Sequence, residues 1–196
     1  MPAAAQSILA AAREIIDERG ENAMRVADVA DRAGLAIGLL YHYFKDRVDL
    51  VAAVREAQFL ARIEADIVII TKLVKPESMG DVLRTIVDDF SEPRSVERKE
   101  FRLDRAEALV SARYNPELTA RLTKAQGRLA SEIQKAVERA KADGLLATNV
   151  DTKALAFFLE VVPLGTVLAN VYGENLPESK EWRRLLFRML SALAPE

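Results

Sequence analysis

Hydrophobic residues recur at three- and four-residue intervals along most of the chain, the spacing that places them on one face of an α-helix. The first such stripe has charged residues on its opposite side and consists of Ile8, Leu9, Ala12, Ile15 and Ile16. The sequence shows no alternation of apolar and polar residues of the kind that predicts β-strands. This pattern predicts an all-α protein with about nine helices.

Glycines and capping residues divide the first part of the chain into four predicted helices. Gly20 ends the first helix, and Gly34 ends a second, short helix that begins near Val26. A third short helix is predicted for 37–44. Asp46 is a favourable N-cap for a long fourth helix that continues to about residue 70.

The rest of the chain predicts further amphipathic helices separated by prolines and glycines. Breaks at Pro76 and Gly80 precede a run over 82–90, and Ser95 caps a helix to about Tyr114. The next helix begins at Asn115-Pro116 and ends at Gly144. Asp151 or Thr152 caps a helix to about Tyr172, and Pro177 precedes the last helix.

The two short helices at 26–33 and 37–44 form the most informative part of the sequence. Helices of about eight residues are not stable alone, so both must pack on a neighbour. Ala30 is small where the two helices would cross, and Gly34 can take the positive φ of a sharp turn. Apolar residues flank this pair, an arrangement typical of a helix-turn-helix that places its second helix in the major groove of DNA.

DNA contact is predicted for the third helix and for residues near it. Ile37 and His42 would face the bases, and Gly38 would allow close approach to the DNA backbone. The tyrosines and cations would contact phosphates. The full predicted set is Arg25, Ala36, Ile37, Gly38, Tyr41, His42, Tyr43, Lys45 and Arg47. Plain surface exposure is the alternative for the histidine and the cations, and packing is the alternative for the tyrosines.

A frame of specific residues surrounds the predicted turn, namely Val29-Ala30, Ala33-Gly34-Leu35, Gly38, Leu40-Tyr41, Phe44 and the basic Arg47. This frame, and the first 50 residues as a whole, resemble the N-terminal domain of TetR-family repressors. Arg25, Ala36 and Leu39 depart from the family pattern, which has Ser or Thr in these regions. Direct base reading is therefore expected to be limited, and operator preference is expected to depend partly on phosphate contacts and DNA shape.

The resemblance implies a homodimeric transcriptional repressor that binds a palindromic double-stranded operator and releases it when a small molecule enters the C-terminal domain. It implies a helix-turn-helix domain at 1–50 and a ligand-binding and dimerisation domain at 51–196. The helices near 116–142 and 152–172 are the expected dimer contacts, since the second is apolar nearly all round. The implied cavity would be lined by Phe59, Ile63, Ile86, Phe90, Phe101, Arg105, Leu109 and Gln126.

Two arginines, Arg102 and Arg105, lie on an otherwise half-apolar predicted helix. An inward arginine would pair with a ligand carboxylate, but a surface salt bridge to Asp104 or Glu107 is the favoured expectation. The aromatic residues of this region are interpreted as core residues more than as a ligand box. The pattern does not identify the ligand.

Composition excludes most catalytic and metal-binding chemistry. The chain of 196 residues has no cysteine and one histidine, His42, which excludes thiolate catalysis, disulfides and multi-histidine metal sites. Adjacent carboxylates such as Asp88-Asp89 point about 100° apart on a helix and form a solvated face. We therefore expect neither enzymatic activity nor a cofactor or metal, and a chain without cysteine suits a reducing cytoplasm.

The most apolar stretch, 154–172, raises the question of a membrane span. It contains Glu160 and Pro163 and is barely the ~20 residues that a span needs. We expect a helix buried between protein surfaces, no membrane contact and no signal peptide, because the N-terminus lacks a basic region followed by an apolar one.

The N-terminal charge is the main observation against DNA binding. The first 50 residues carry eight acidic and six basic side chains, so any positive surface for DNA must be local. This balance leaves one alternative open, a helical protein-interaction module that has lost sequence-specific DNA binding.

Overall fold

The computed structural model describes residues 1–72, 84, 86–87 and 92–195, without the side chains of Lys72 and Glu97. This part of the chain is helical and contains no strand, which confirms the predicted fold class. Its α-helices are α1 (Ala3–Arg19), α2 (Val26–Ala33), α3 (Ile37–Tyr43), α4 (Arg47–Lys72), α5 (Val96–Ala112), α6 (Pro116–Ala142), α7 (Thr152–Gly165), α8 (Ala169–Tyr172) and α9 (Ser179–Ser191). The predicted breaks at Pro76 and Gly80, and most of the predicted run 82–90, lie outside the described residues.

Capping side chains begin the helices where the sequence predicts them. The Ser95 hydroxyl accepts from the Arg98 amide at 3.1 Å, and the Asn115 side chain accepts from the Leu118 amide at 3.0 Å. Asp46 and Asp151 accept in the same way at the starts of α4 and α7. Each cap satisfies one of the backbone donors that a helix leaves open at its N-terminus.

Two hydrophobic cores succeed each other along the molecule, and α4 contributes to both. The first core joins α1, α2 and α3 to the beginning of α4 through Leu50, Val51 and Val54. The second begins at Phe59 on the same helix and includes α5, α6 and α7. The proposed domain boundary at residue 50 therefore falls inside a continuous helix, which connects the two cores as a rigid element.

Helix α6 packs mainly on α4 and contacts α5 and α7. Its apolar stripe is buried within the chain's own second core and consists of Leu118, Leu122, Ala125, Leu129, Ile133 and Val137. The outward positions of α6 are mostly polar or charged. The stripe that suggested α6 as a dimer helix is thus used inside the chain.

The apolar segment after Asp151 is not one continuous helix. α7 ends at Gly165, a 3₁₀ turn follows at Thr166–Leu168, and α8 ends before Gly173. Pro163 lies within α7 and cannot donate a backbone hydrogen bond, and the helix tightens into the 3₁₀ turn immediately afterwards. By length and composition alone, Thr152–Asn175 could cross a membrane, and 22% of its most apolar window is buried in the chain.

Candidate nucleic-acid interface

The turn between α2 and α3 has the geometry that its sequence predicts. Gly34 adopts a left-handed conformation with φ of 66°, and its amide donates to Asp31 O at 3.1 Å. The Leu35 amide donates to Ala30 O at 3.0 Å, which closes the end of α2 in a Schellman motif. Val29 and Ala30 are buried where α2 meets its neighbours. The turn therefore holds α3 at a defined angle to α2.

One side of α3 anchors the helix in the first core. Leu40 is fully buried, and Phe44, directly after the helix, is 5% exposed. Tyr43 is half-buried and packs against the same core. Its ring lies edge-on to the ring of His42, with centroids 5.0 Å apart. The packing role that the sequence left open for Tyr43 is therefore realised.

The other side of α3 projects away from the chain. Ile37 is 46% exposed and Tyr41 is 51% exposed, although both are large and apolar enough to be buried elsewhere. Ala36, Gly38 and His42 are exposed as well. A seven-residue helix is about 10 Å long, and the major groove is about 12 Å wide. The exposed side of α3 thus has the size and the side chains to enter that groove.

Gly38 provides a test of this orientation. A Cβ built at Gly38 would meet nothing within 4 Å, so the fold does not require glycine there. Alanine is about 1 kcal/mol better than glycine in a helix interior. We expect Gly38→Ala to raise the free energy of unfolding by about 0.5–1 kcal/mol and to weaken DNA binding, measured by denaturant titration and by fluorescence anisotropy. Unchanged DNA affinity would show that position 38 does not approach DNA.

Several acidic residues of the N-terminal segment are paired with arginines of α1 and α2. Arg32 binds Glu18 at 2.7 Å through a bidentate contact, and this hydrogen bonding holds the pKa of Glu18 below its ordinary value. Arg19 lies 3.8 Å from Asp28. Among the described residues the exposed side chains of Arg25, before α2, and Lys45, after α3, have no ion pair. These two cations are therefore the unpaired positive charges next to α2 and α3.

Arg47 does not have the predicted role of a free cation. Its Nε donates to Met24 O at 3.1 Å, and its Nη2 donates to Glu21 O. The side chain is half-buried and ties the start of α4 to the short 3₁₀ turn before α2. These contacts give Arg47 a structural role, and its phosphate contact stays a prediction. No sequence signal distinguishes this arginine from Lys45 two positions earlier.

The difference between Lys45 and Arg47 is measurable. We expect Lys45→Ala to leave stability within about 0.5 kcal/mol and to make the slope of log K against log salt shallower by about one, because one phosphate contact is lost. Arg47→Ala is expected to lower the unfolding free energy by about 1–2 kcal/mol with an unchanged slope. A shallower slope for Arg47→Ala would restore the original assignment.

Comparison with known families identifies this segment. The family model described as bacterial regulatory proteins, tetR family, matches residues 8–54, which include α2, α3 and most of α1. Residues 8–54 are thus a TetR-family helix-turn-helix segment.

Two of the three similar proteins described next match over most of the chain. The HTH-type transcriptional repressor AcnR of Corynebacterium efficiens is 26% identical over 170 residues, which cover 87% of this chain and 83% of AcnR. The fatty acid metabolism regulator protein of Bacillus subtilis is 38% identical over 63 residues, 31% of this chain and 32% of that protein. A crystal structure from Rhodococcus sp., assigned to the same family, has a TM-score of 0.65 at 26% identity and covers 98% of both chains. The N-terminal sequence and the fold are thus similar to those of TetR-family transcriptional regulators.

The C-terminal part of the chain contains a cleft of about 500 Å³ between α4, α5, α6 and α7. Four of the eight predicted ligand residues line it, namely Phe59, Arg105, Leu109 and Gln126. Sequence reasoning missed its other principal residues, Leu122, Phe157, Glu160, Val161 and Leu164. Because α7 is apolar on most sides, its pattern did not show which side faces the cleft.

Three of the remaining predicted ligand residues do not line this cleft. Ile63 is fully buried in the second core, and Ile86 packs on a smaller cluster with α9. Phe101 is covered by two guanidinium groups, with Arg62 3.9 Å and Arg98 4.8 Å from its ring centroid. Phe90 lies outside the described residues.

Both arginines of α5 that the sequence left open point inward, so the expected surface salt bridges are wrong. Arg102 is buried and donates to the carbonyl oxygens of Glu92, Pro93 and Ser95. Arg105 is 9% exposed and lines the cleft. Helical periodicity did not settle this because a long arginine stem packs as well inside as outside.

Glu160 is the titratable group of the cleft. Burial raises its pKa to about 7, an effect that Arg105 partly offsets and Asp66 reinforces. Its Oε2 lies 3.9 Å from Arg105 Nη2, too far for a hydrogen bond. Near neutral pH this side chain is therefore close to half protonated.

The raised pKa predicts a pH-dependent stability. Between pH 4.5 and 7 the folded chain binds a proton at Glu160 that the unfolded chain does not, so this group's contribution to stability falls as pH rises across that window. We expect Glu160→Gln to be about 2 kcal/mol more stable than wild type at pH 8, and equal to it near pH 4.5. Denaturant titrations at both pH values test this, with the exposed Glu174→Gln as a control. A variant–wild-type difference that does not change with pH would contradict the assignment.

Proposed function

We propose that the protein is a ligand-responsive transcriptional repressor that binds a palindromic operator as a homodimer and releases it when an effector enters the C-terminal domain. Residues 1–50 bind DNA and residues 51–196 bind effector and partner. The protein acts in the cytoplasm, where the DNA is. The name of the similar AcnR protein, a transcriptional repressor, supports repression.

The observation that carries DNA binding is the exposed side of α3. Ile37 and Tyr41 project from a helix whose opposite side is locked by Leu40. The two residues are four positions apart and therefore share one exposed side of the helix. The proposed DNA contacts are Arg25, Ala36, Ile37, Gly38, Tyr41, His42 and Lys45, with Tyr43 supporting the helix from behind.

A second copy of the chain is proposed to cover the apolar surface of the C-terminal helices. α7, the 3₁₀ turn after it and α8 expose Phe157, Val161, Leu168 and Val171. α9 exposes Leu185, Phe187 and Met189. We therefore keep the predicted segment 152–172 as a dimer element and replace the predicted segment 116–142 by α9. A four-helix interface of this kind pairs the same surface on both subunits.

Binding to DNA from the chain's own upstream region tests the proposal. We expect salt-dependent binding in fluorescence anisotropy, and selection from random DNA should return a site with two-fold symmetry. Tyr41→Ala should weaken binding to the selected site at least tenfold, whereas exposed Tyr114→Ala should not. Tyr114 is 81% exposed and lies just after α5, outside the helix-turn-helix, which makes it a matched control.

Two results would contradict the proposal. Binding of equal strength to every DNA sequence, or no binding at low salt, would favour the alternative of a helical protein-interaction module. If Tyr41→Ala binds DNA as tightly as wild type does, the DNA contact lies outside α3.

A further inference from the structure

The cleft between α4, α5, α6 and α7 has an apolar wall and one polar end. Most of its lining is aliphatic or aromatic, with Phe59 and Leu122 on one side and Phe157 and Leu164 on the other. Thr119 and Thr123 also line it, but their hydroxyls donate to helix carbonyl oxygens at 2.8 Å. Polar groups without such local partners are confined to the end formed by Arg105, Gln126 and Glu160.

Arg105 has more donor capacity than its surroundings use. Its Nη2 donates to Gln126 Oε1 at 3.1 Å, and its Nη1 reaches Asp66 Oδ2 only at 3.5 Å. Asp66 is shared with Arg98, which binds it at 2.9 Å. The Nε of Arg105 is buried and has no acceptor among the described residues. Because Arg105 lines the cleft and its two hydrogen bonds leave part of its five-donor capacity unused, this end of the cleft favours a ligand that brings an acceptor.

We propose that the cleft binds an apolar monocarboxylate, with its carboxylate on Arg105 and its apolar body along Leu109, Leu122 and Phe157. A planar guanidinium fork matches a carboxylate in a bidentate contact. A cationic ligand would lie against Arg105 and be repelled. Binding of the acid in the cleft does not depend on the proposed function. Only the consequence of binding, release of DNA, rests on it.

Glu160 gives this site its pH dependence. The charged groups that act on it are Arg105 of α5 and Asp66 of α4, while α6 presents the neutral Gln126 to the cleft. An ionised Glu160 would repel a ligand carboxylate, whereas a protonated Glu160 can donate to it. Affinity for the carboxylate is therefore expected to fall by up to about tenfold from pH 6 to pH 8. Over this range Glu160 changes from mostly protonated to mostly ionised, whereas the ligand is ionised throughout.

Calorimetric titration in the absence of DNA tests which polar headgroup of a ligand the cleft prefers. The probes are decanoate, decan-1-ol and decyltrimethylammonium, which share one chain, together with 2-naphthoate as a bulkier acid. We expect at least one acid to bind, and decanoate to bind at least tenfold more tightly than the other two decyl compounds. Tightest binding of the ammonium compound, equal binding of all three decyl compounds, or binding of neither acid would overturn the proposal.

Single substitutions test whether the ligand carboxylate contacts Arg105. Arg105→Gln should reduce affinity for the acid at least tenfold and leave decan-1-ol unaffected, while Arg128→Gln, on an exposed arginine of α6, should change neither. Glu160→Gln should retain acid binding and lose its pH dependence. If Arg105→Gln does not fold, the headgroup and pH comparisons on wild type still decide the proposal. Acid binding that leaves DNA bound would refute the proposed effector response and not this site.

Discussion

The double substitution Leu168→Glu, Leu185→Glu is expected to convert the protein into a monomer that binds its operator at least about a hundredfold more weakly than wild type. Both side chains are more than half exposed, on the 3₁₀ turn after α7 and on α9. In an interface with two-fold symmetry the same surface is used on both subunits, so each substitution occurs twice. The interface would therefore have to bury two copies of each new carboxylate. Neither residue lines the cleft at Arg105, so ligand binding should be retained.

The loss of DNA affinity follows from losing the second recognition helix. A dimer presents two copies of α3 to half-sites about 34–36 Å apart, and linkage of two binding modules raises affinity by about 10²–10⁴. Analytical ultracentrifugation and anisotropy measure the two effects. Val110→Glu, on a side chain 69% exposed on α5, is the matched control and should remain dimeric. A double variant that is still a dimer would show that this surface is not the interface.

Local signals explain why the N-terminal segment could be predicted closely from sequence. Gly34 must adopt positive φ, Ala30 must be small, and Asp46 must cap α4, and each of these requirements concerns residues within a few positions. The same holds for the caps at Ser95 and Asn115. Element type and helix ends therefore followed from neighbouring residues alone.

Long-range partners could not be predicted in the same way. Arg47 donates to carbonyl oxygens more than 20 positions earlier, and Arg105 meets Asp66 across two helices. Nothing in the spacing around these arginines distinguishes them from Lys45 or Arg121, which are exposed. The cleft residues of α7 were missed for a related reason, since an apolar helix has no polar side to orient it. Such positions require the packing of the whole chain.

The substitution Arg55→Met is expected to lower the free energy of unfolding by about 3 kcal/mol. Arg55 has 5% of its side chain exposed and bonds Gln58 Oε1 at 3.2 Å, Glu21 Oε2 at 3.1 Å, and Glu107. It thereby joins the turn before α2 to α4 and α5. Methionine fills a similar volume but leaves two carboxylates and an amide without their partner. Their partial exposure keeps the loss below that of a fully enclosed pair.

Arg121→Met is a matched control, because Arg121 also bridges two carboxylates. It binds Glu56 at 2.8 Å and Glu117 at 2.5 Å, but its side chain is 51% exposed. We expect this variant to lose less than about 1 kcal/mol in denaturant titration, since water screens the charges that it leaves behind. Equal losses for the two variants would mean that burial does not set the strength of the Arg55 contacts.

The pH dependence of the Arg55 variant separates lost ion pairing from lost packing. Burial raises the pKa of Glu107, and Arg55 opposes this increase. Without Arg55 the pKa of Glu107 rises further, so the folded state holds a proton that the unfolded state releases, and stability falls as pH increases. The difference between Arg55→Met and wild type should therefore be larger at pH 8 than at pH 5, and Glu107→Leu added to Arg55→Met should recover part of it. A loss independent of pH and not recovered by Glu107→Leu would assign the effect to packing of the arginine stem.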